Sequence, residues 1–142
     1  MASKSKSLNL CTYNIHGAQN CNWDYVRKLL IKHDFVLVQE LWLGSSQSNV
    51  ISQKISHANY HFTSGMPDDE FLRGRPYGGC AIIWPADTVY SVEIVSCPNS
   101  RACCVKVSCI SFSCLIFSIY MPCDGSDMNE FYAILHEITN VV

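Results

Sequence analysis

The sequence has little charge, and neither sign dominates. Charged residues make up 15% of the 142 residues and the formal net charge is −2, whereas a soluble domain typically carries about 25% charged residues. Without an excess of positive charge, the protein cannot coat nucleic acid through a bulk positive potential. Hydrophobic residues make up 49% of the chain, and a chain of this length buries roughly two thirds of its unfolded surface. We therefore expect one sizeable core and only local contacts with any polyanion.

The sequence also lacks the usual signs of a disulfide framework or a zinc site. No Cys-x-x-Cys pair occurs, no secretory hydrophobic segment follows Met1, and the nine cysteines are an odd number. Several lie inside apolar strand-like runs, where cysteine behaves as a small hydrophobic residue: Cys11, Cys80, Cys104, Cys109 and Cys114. We therefore expect reduced thiols and an intracellular protein of the nucleus or cytoplasm that is not secreted.

Long uninterrupted hydrophobic runs and internal repeats are absent as well. The most apolar stretch, residues 102–123, is interrupted by Lys106 and by interleaved serines, which favours strands over a membrane span. Residues 1–7 are rich in lysine and serine and are predicted to form a disordered leader. Residues 8–142 are then a single domain with no membrane partner.

Two strand-like runs each end in a polar residue. The first run, from Leu8 to Gly17, carries Asn14, and the second, from Asp34 to Leu43, carries Glu40. A helical pattern over residues 23–32 separates them, and a right-handed crossover makes the two strands parallel. Because ligand sites of open α/β sheets lie at the carboxyl edge, we expect Asn14 and Glu40 to be neighbours there.

The rest of the chain predicts further strands and two more helices. We expect a helix over residues 47–56, a strand over 60–63, a loop over 64–79, and strands over 80–84, 89–95 and twice within 102–120 that form an antiparallel meander. A turn is expected in residues 109–112. Asp127 and Glu130 have capping-box spacing, and the helix they begin should bury Phe131, Leu135, Ile138 and Val142.

Several separated motifs resemble one superfamily. They are Thr-Tyr-Asn-Ile-His-Gly around Asn14, Val-Gln-Glu ending at Glu40, Ile-Tyr-Met-Pro around Tyr120, and the segments Gly74-Arg75-Pro76-Tyr77-Gly78-Gly79 and Tyr120-Met121-Pro122-Cys123-Asp124. Together they resemble the endonuclease/exonuclease/phosphatase superfamily, and most closely its non-LTR retrotransposon endonucleases. The resemblance implies an α/β (α+β) fold, the DNase I-like two-sheet β-sandwich flanked by helices, and hydrolysis of phosphodiesters in DNA.

The resemblance also implies roles for individual residues. Glu40 would bind Mg²⁺, or Mn²⁺ in its place, because Mg²⁺ prefers hard oxygen ligands and often takes only one or two carboxylates. Asn14 and Tyr120 would position the scissile phosphate as catalytic residues. Arg73 and Arg75 would contact the DNA backbone from their loop, although an ordinary solvated loop explains them about as well. No small-molecule organic cofactor is implied, and we expect His57 and His61 to be ordinary surface or core residues.

The sequence departs from the family pattern in three places. A Gly-preceded Asp-x-Asn motif at a strand end and a terminal Asp-His pair, which relatives carry later in the chain, are not present, and His16 stands where relatives often have Asn or Asp. We therefore expect the N-terminal half of the domain, inactive in isolation. We also expect one sheet face to be left bare, because the halves of the family's sandwich cover one another, and this face would promote self-association.

Three functions remain open from the sequence. The first is a Mg²⁺-dependent endonuclease of the retrotransposon type, of which this chain carries one side of the site. The second is a catalytically inactive remnant that binds nucleic acid or a partner protein. The third is a phosphatase of inositol phosphates or lipids, because the superfamily uses a shared metal site on different substrates.

Overall fold

In the part of the chain that the structure describes, two β-sheets and three helices form the fold. The structure is a computed structural model, and it describes residues 7–19, 23–69, 77–122 and 127–142. The elements, in chain order, are β1 (Leu10–Asn14), α1 (Trp23–Lys32), β2 (Phe35–Gln39), α2 (Asn49–Lys54), β3 (Ala58–Thr63), β4 (Cys80–Pro85), β5 (Ser91–Val95), β6 (Ala102–Ser108), β7 (Ser113–Ile119) and α3 (Met128–Val141).

The first sheet has the strand order β1-β2-β4-β3. Strands β1 and β2 are parallel, and Asn14 lies beside Gln39 at their carboxyl ends. Helix α1, which connects them, has the bounds expected from the sequence. Strand β2 is covered on both faces, as its unbroken apolar run predicts. The carboxyl edge of β1 and β2 therefore places Asn14 and Glu40 next to each other, as predicted.

The second sheet corrects one expectation from the sequence. It is an antiparallel meander in the order β5-β6-β7, and its last turn falls within residues 109–112 as expected. Strand β4, however, does not belong to this meander, because it pairs with β2 and β3 in the first sheet. Its residues Cys80 to Trp84 are all buried, which suits the interior of a sheet covered on both sides.

The first sheet separates two cores. On one face, α1 and α2 pack against it through residues that include Trp23, Val26 and Ile51. On the other face, the second sheet contributes Cys103, Val105 and Val107 to a cluster that also contains Ile82. The two sheets thus cover each other's inner faces within this chain. The inner faces of the two sheets are therefore not left bare.

Helix α3 buries only part of the face predicted for it. Asp127 caps the helix by accepting a hydrogen bond from the backbone N–H of Glu130, as its capping-box spacing indicates. Ile134 is fully buried, whereas Leu135 is 42% exposed and Val142 is 87% exposed. Met128 and Tyr132 are exposed as well. Apolar periodicity located the helix correctly, and of the four residues expected to be buried, Phe131 and Ile138 are half-buried whereas Leu135 and Val142 are exposed.

The described cysteines form no disulfide bond; they are Cys11, Cys80, Cys97, Cys103, Cys104, Cys109 and Cys114. Burial raises the pKa of Cys80 to about 12 and that of Cys104 to about 12. Thiols with such high pKa values are poor nucleophiles and metal ligands, because the thiolate is the reactive form. These cysteines therefore act as small core residues.

Within the described ranges, no helix is both long enough and apolar enough to cross a bilayer. The predicted leader lies outside the described residues except for Ser7, and Arg73 and Arg75 lie outside them too.

Candidate active site

The predicted site residues meet at one edge of the sandwich. Asn14 is the last residue of β1, Glu40 directly follows β2, and Tyr120 directly follows β7. The side chains of Asn14 and Tyr120 both hydrogen-bond to the carboxylate of Glu40. Two strands of the first sheet and one of the second thus bring three residues into contact that lie far apart in the sequence.

The chain holds this edge in an uncommon backbone conformation. His16, Glu40 and Trp42 have φ values of 51°, 56° and 56°, in the left-handed region that non-glycine residues seldom occupy. Backbone hydrogen bonds from Gly17 N to Glu40 O (2.8 Å) and from Trp42 N to Gly78 O (3.0 Å) hold these segments together beyond the strand ends. Strained conformations of this kind cluster at functional sites and persist where the surroundings fix them.

The carboxylate of Glu40 is largely enclosed, with 19% of its side chain exposed. Burial on its own would raise the pKa of Glu40, but hydrogen bonds from Asn14, Tyr120 and His16 outweigh burial and hold the pKa below its ordinary value. Glu40 is therefore ionised at neutral pH, and its orientation is fixed by its partners. An ionised carboxylate that is held in place is the form that binds a cation.

His16 is the neighbour of Glu40 that the sequence had marked only as a departure. Its Nδ1 lies 3.3 Å from Oε2 of Glu40, and 70% of the His16 side chain is exposed. The ring is held on one side by Trp42, at 4.5 Å between ring centroids. Its backbone N–H donates to Oδ1 of Asn14 at 3.0 Å. The position two residues after Asn14 was the only sequence signal that could have placed His16 in the site.

A polar network beneath the site joins the two sheets. Gln39 Nε2 donates to Ser118 Oγ at 3.0 Å, and Ser118 Oγ donates to the backbone oxygen of Val38 at 3.2 Å. Thr12 Oγ1 donates to Gln39 Oε1 at 3.0 Å. Ser118 is fully buried, and Tyr120 follows it by two residues on the same side of the strand. This network therefore aligns Tyr120 with Glu40.

Tyr120 is supported from its other side by an ion pair. Arg101 Nε donates to Glu130 Oε1 at 2.7 Å, and the guanidinium lies 5.9 Å from the centroid of the Tyr120 ring. The backbone N–H of Tyr120 also donates to Arg101 O at 2.9 Å. Helix α3 thus contributes Glu130 to the surroundings of the site. The sequence predicted Glu130 only as a capping residue, and no sequence signal marked Arg101, Gln39 or Ser118.

A small cavity of about 230 Å³ lies beside Tyr120. It is lined by Gly65, Met66, Tyr77, Gly78, Gly79, Ser100, Arg101, Tyr120 and Glu130. A larger, more apolar cavity of about 510 Å³ lies at the opposite edge of the first sheet, where Ala58 and Pro85 are paired. The smaller cavity is the one next to the site.

The remaining sequence candidates lie elsewhere. His57 is exposed in the turn before β3, while His61 is part of that strand. Burial lowers the pKa of His61, and its Nε2 has no hydrogen-bond partner among the described residues. His61 is therefore a neutral, partly buried histidine of the sandwich, as the ordinary interpretation predicted.

The site fits a divalent cation in part. Glu40 offers one ionised carboxylate, and Mg²⁺ is often bound by one or two carboxylates together with water. Oδ1 of Asn14 already accepts the His16 N–H. In the described part of the chain, no group of three or more His, Cys, Asp or Glu side chains is arranged to hold a metal ion. Among the described residues, Glu40 could therefore anchor a hydrated ion, but it is not part of a complete cage.

No protein-family model matches the sequence, and no curated protein matches it. Solved structures do match. The endonuclease domain of TRAS1, a telomere-specific non-LTR retrotransposon, has a TM-score of 0.64 and 14% identity, with 95% of this chain and 54% of that chain covered. The AP endonuclease LMAP from Leishmania major has a TM-score of 0.63 and 12% identity, with 94% and 46% covered. The Xenopus laevis APE2 catalytic domain has a TM-score of 0.62 and 14% identity, with 92% and 52% covered.

These similarities show the fold. The compared proteins belong to the DNase I-like endonuclease/exonuclease/phosphatase superfamily, and the two sheets flanked by helices are its α/β architecture. The predicted fold class is thereby confirmed. The chain spans about half the length of the solved structures it matches.

Proposed function

We propose that this chain carries one side of the active site of a Mg²⁺-dependent DNA endonuclease of the retrotransposon type. The observation that carries the proposal is the ionised carboxylate of Glu40, held by Asn14, His16 and Tyr120 at the carboxyl edge of the first sheet. Support also comes from the matched structures, which are endonucleases of a retrotransposon and of AP type.

In this proposal, each residue has a distinct task. Glu40 would hold Mg²⁺, or Mn²⁺ in its place, and the ion when bound would neutralise charge on the phosphoryl group and its leaving oxygen. Tyr120 and Asn14 fix the direction of the Glu40 carboxylate through their hydrogen bonds. On binding DNA, the second N–H of the Asn14 amide, and the Tyr120 O–H turned from Glu40 toward the substrate, would donate to a phosphate oxygen, which supplies the positioning that phosphoryl transfer depends on.

Arg73 and Arg75 complete the proposed contacts with DNA. They belong to the segment between β3 and β4, and Gly78 and Gly79, which follow them, lie directly beside the site. Local positive charge at this place suits contacts with backbone phosphates, which position a nuclease without reading sequence. Because the net charge of the chain is only −2, contacts with DNA phosphates would depend on such local positive groups.

The test is nicking of supercoiled plasmid by the protein in its natural full-length form. We expect conversion to open circles that requires Mg²⁺, is abolished by a chelator and falls at least a hundredfold in Glu40→Gln, since the carboxamide keeps the shape but removes the charge. Glu93→Gln, on the exposed side of β5, is the matched control and should nick normally. Equal nicking by Glu40→Gln would overturn the proposal.

The same assay separates the other functions. The second candidate, a catalytically inactive fragment that binds nucleic acid or protein, is favoured by the absence of a three-ligand metal cluster among the described residues. Retention of labelled DNA without any chelator-sensitive nicking would support it. Release of inorganic phosphate from inositol phosphates, lost in Glu40→Gln, would instead support a phosphatase of the same superfamily.

We also propose that the isolated chain self-associates. The inner faces of the sheets are covered, but Met128, Tyr132, Leu135 and Val142 expose apolar side chains along α3. Exposed apolar patches of this kind favour association. Sedimentation velocity over a range of concentrations measures it, and a monomer at every concentration would contradict it.

A further inference from the structure

We infer that His16 and Glu40 together form a two-ligand site that prefers Mn²⁺ over Mg²⁺. The inference deepens the proposed function, on which it rests, because it concerns the same carboxylate. It adds a nitrogen ligand that the sequence pattern of relatives does not supply at this position. The remaining coordination positions would be filled by water or by a phosphate oxygen.

The spacing of the two donor atoms suits a common ion. Nδ1 of His16 lies 3.3 Å from Oε2 of Glu40. Two ligands that bind one octahedral ion side by side at roughly 2.1 Å are themselves about 3.0 Å apart. The observed 3.3 Å therefore allows one ion to bond both atoms with little change in their separation. A cation can therefore replace the proton that the two groups otherwise share.

The backbone fixes both ligands before an ion arrives. His16 and Glu40 both adopt left-handed conformations. The backbone N–H of Gly17, next to His16, donates to the backbone oxygen of Glu40 at 2.8 Å. The His16 ring packs against Trp42, and the His16 N–H is held by Asn14. Such preorganisation lowers the entropic cost of binding.

The surroundings of Glu40 match those of a metal-bound carboxylate. Asn14 and Tyr120 hydrogen-bond to the carboxylate, and ligands of bound metals are commonly oriented by such outer partners. The exposed position of His16 leaves the ion open to solvent. An ion at this place would therefore keep free positions for a substrate oxygen.

The imidazole decides which ion is preferred. Mg²⁺ prefers oxygen ligands, gives up its bound water reluctantly and gains little from a nitrogen ligand. Imidazole, in contrast, suits first-row transition metals. Among those metals, Mn²⁺ also accepts carboxylate and water readily. A His/Glu pair therefore shifts the site from Mg²⁺ toward Mn²⁺.

The test is metal binding by the 142-residue chain, without reference to catalysis. The affinity for Mn²⁺ is measured from the loss of the free-ion signal in electron paramagnetic resonance, and that for Mg²⁺ from its competition. Paramagnetic broadening of histidine ring resonances locates the ion. His16→Asn is the key variant, because Asn tolerates positive φ and exchanges the nitrogen ligand for an oxygen. His57→Asn, at an exposed histidine away from the site, is its control.

We expect His16→Asn to weaken Mn²⁺ binding at least tenfold and to change Mg²⁺ binding by less than about twofold, in keeping with the size of ligand-shell effects. The His16 ring resonances should broaden first. The His57→Asn chain should bind both ions as the unaltered chain does.

An unchanged ratio of Mn²⁺ to Mg²⁺ affinity in His16→Asn would overturn the inference. If Glu40→Gln then still abolished binding of both ions, the proposed function would stand without it. If neither ion bound the unaltered chain, both the inference and the metal-binding role of Glu40 would fail.

Discussion

At the scale of single residues, the site depends on how Glu40 is held. Its carboxylate stays ionised although it is largely enclosed, because three side chains hydrogen-bond to it. Each of these partners is individually replaceable, so the contribution of each can be measured directly.

Replacing Tyr120 by Phe should raise the pKa of Glu40. The substitution removes one hydrogen bond to the ionised form and leaves burial, which acts in the opposite direction, in place. The titration of the Glu40 carboxyl carbon by nuclear magnetic resonance measures the change. Tyr132→Phe, at an exposed tyrosine of α3, should leave the Glu40 pKa where it is, and a Tyr120→Phe chain that titrates like the unaltered one would contradict the assigned contact.

His61 should make the protein less stable in mild acid. Burial lowers its pKa in the folded state, so protonation favours the unfolded chain, in which histidine has a pKa of about 6.5. The stability that depends on a neutral His61 is fully present above about pH 6.5. It is lost as the pH falls through the lower pKa that His61 has in the folded state. Urea unfolding at pH 7.5 and pH 5.5 measures the loss.

Replacing His61 by Phe should remove this part of the pH dependence, because no proton can then bind at that position. His57→Gln, at the exposed histidine, should keep it. A full pH dependence in His61→Phe would show that other groups are responsible.

At the scale of elements, the turns after β1 and before β4 position the site. Gly17 has φ of 101°, and a Cβ there would lie 2.6 Å from Cε3 of Trp42. Gly78 has φ of 67°, with nothing within 4 Å of an added Cβ. An alanine at Gly78 would therefore meet only backbone strain, whereas an alanine at Gly17 would meet both backbone strain and a steric clash.

Gly17→Ala should lower the free energy of unfolding by roughly 2 to 5 kcal/mol, since strain and overpacking add. Gly78→Ala should cost only about 1 to 2 kcal/mol, the price of a left-handed conformation. Chemical denaturation measures both. Equal losses would mean that the Trp42 ring moves aside freely and does not hold His16 in place.

The elements also show what sequence patterns can and cannot predict. The parallel pairing of β1 and β2, and hence the meeting of Asn14 and Glu40, followed from a strand-helix-strand order with one strong handedness rule. The sheet to which β4 belongs could not be predicted in this way. Strand β4 pairs with β2 and β3 through long-range contacts that local periodicity does not encode. In α3, the periodicity is compatible with more than one apolar stripe. Tertiary packing determines which of them is buried, and Ile134 is the residue that is fully buried.

At the scale of the whole molecule, the sandwich closes within the described residues. Both sheets contribute to one core, and the Gln39–Ser118 hydrogen bond ties the sheets together beneath the site. The contact between His16 and Glu40 was not predictable, because it depends on left-handed residues that propensities disfavour. Such local departures are expected where a site imposes its own geometry.

The central claim is that Glu40 is a metal-binding carboxylate at the meeting point of the two sheets. Its most direct test is a Mg²⁺ titration of the 142-residue chain, observed at the side-chain carboxyl carbons of glutamate by nuclear magnetic resonance. We predict a saturable shift at Glu40, with no matching shift at Glu93. A Glu40 resonance that stays unmoved, or that moves only in parallel with Glu93, would contradict the account.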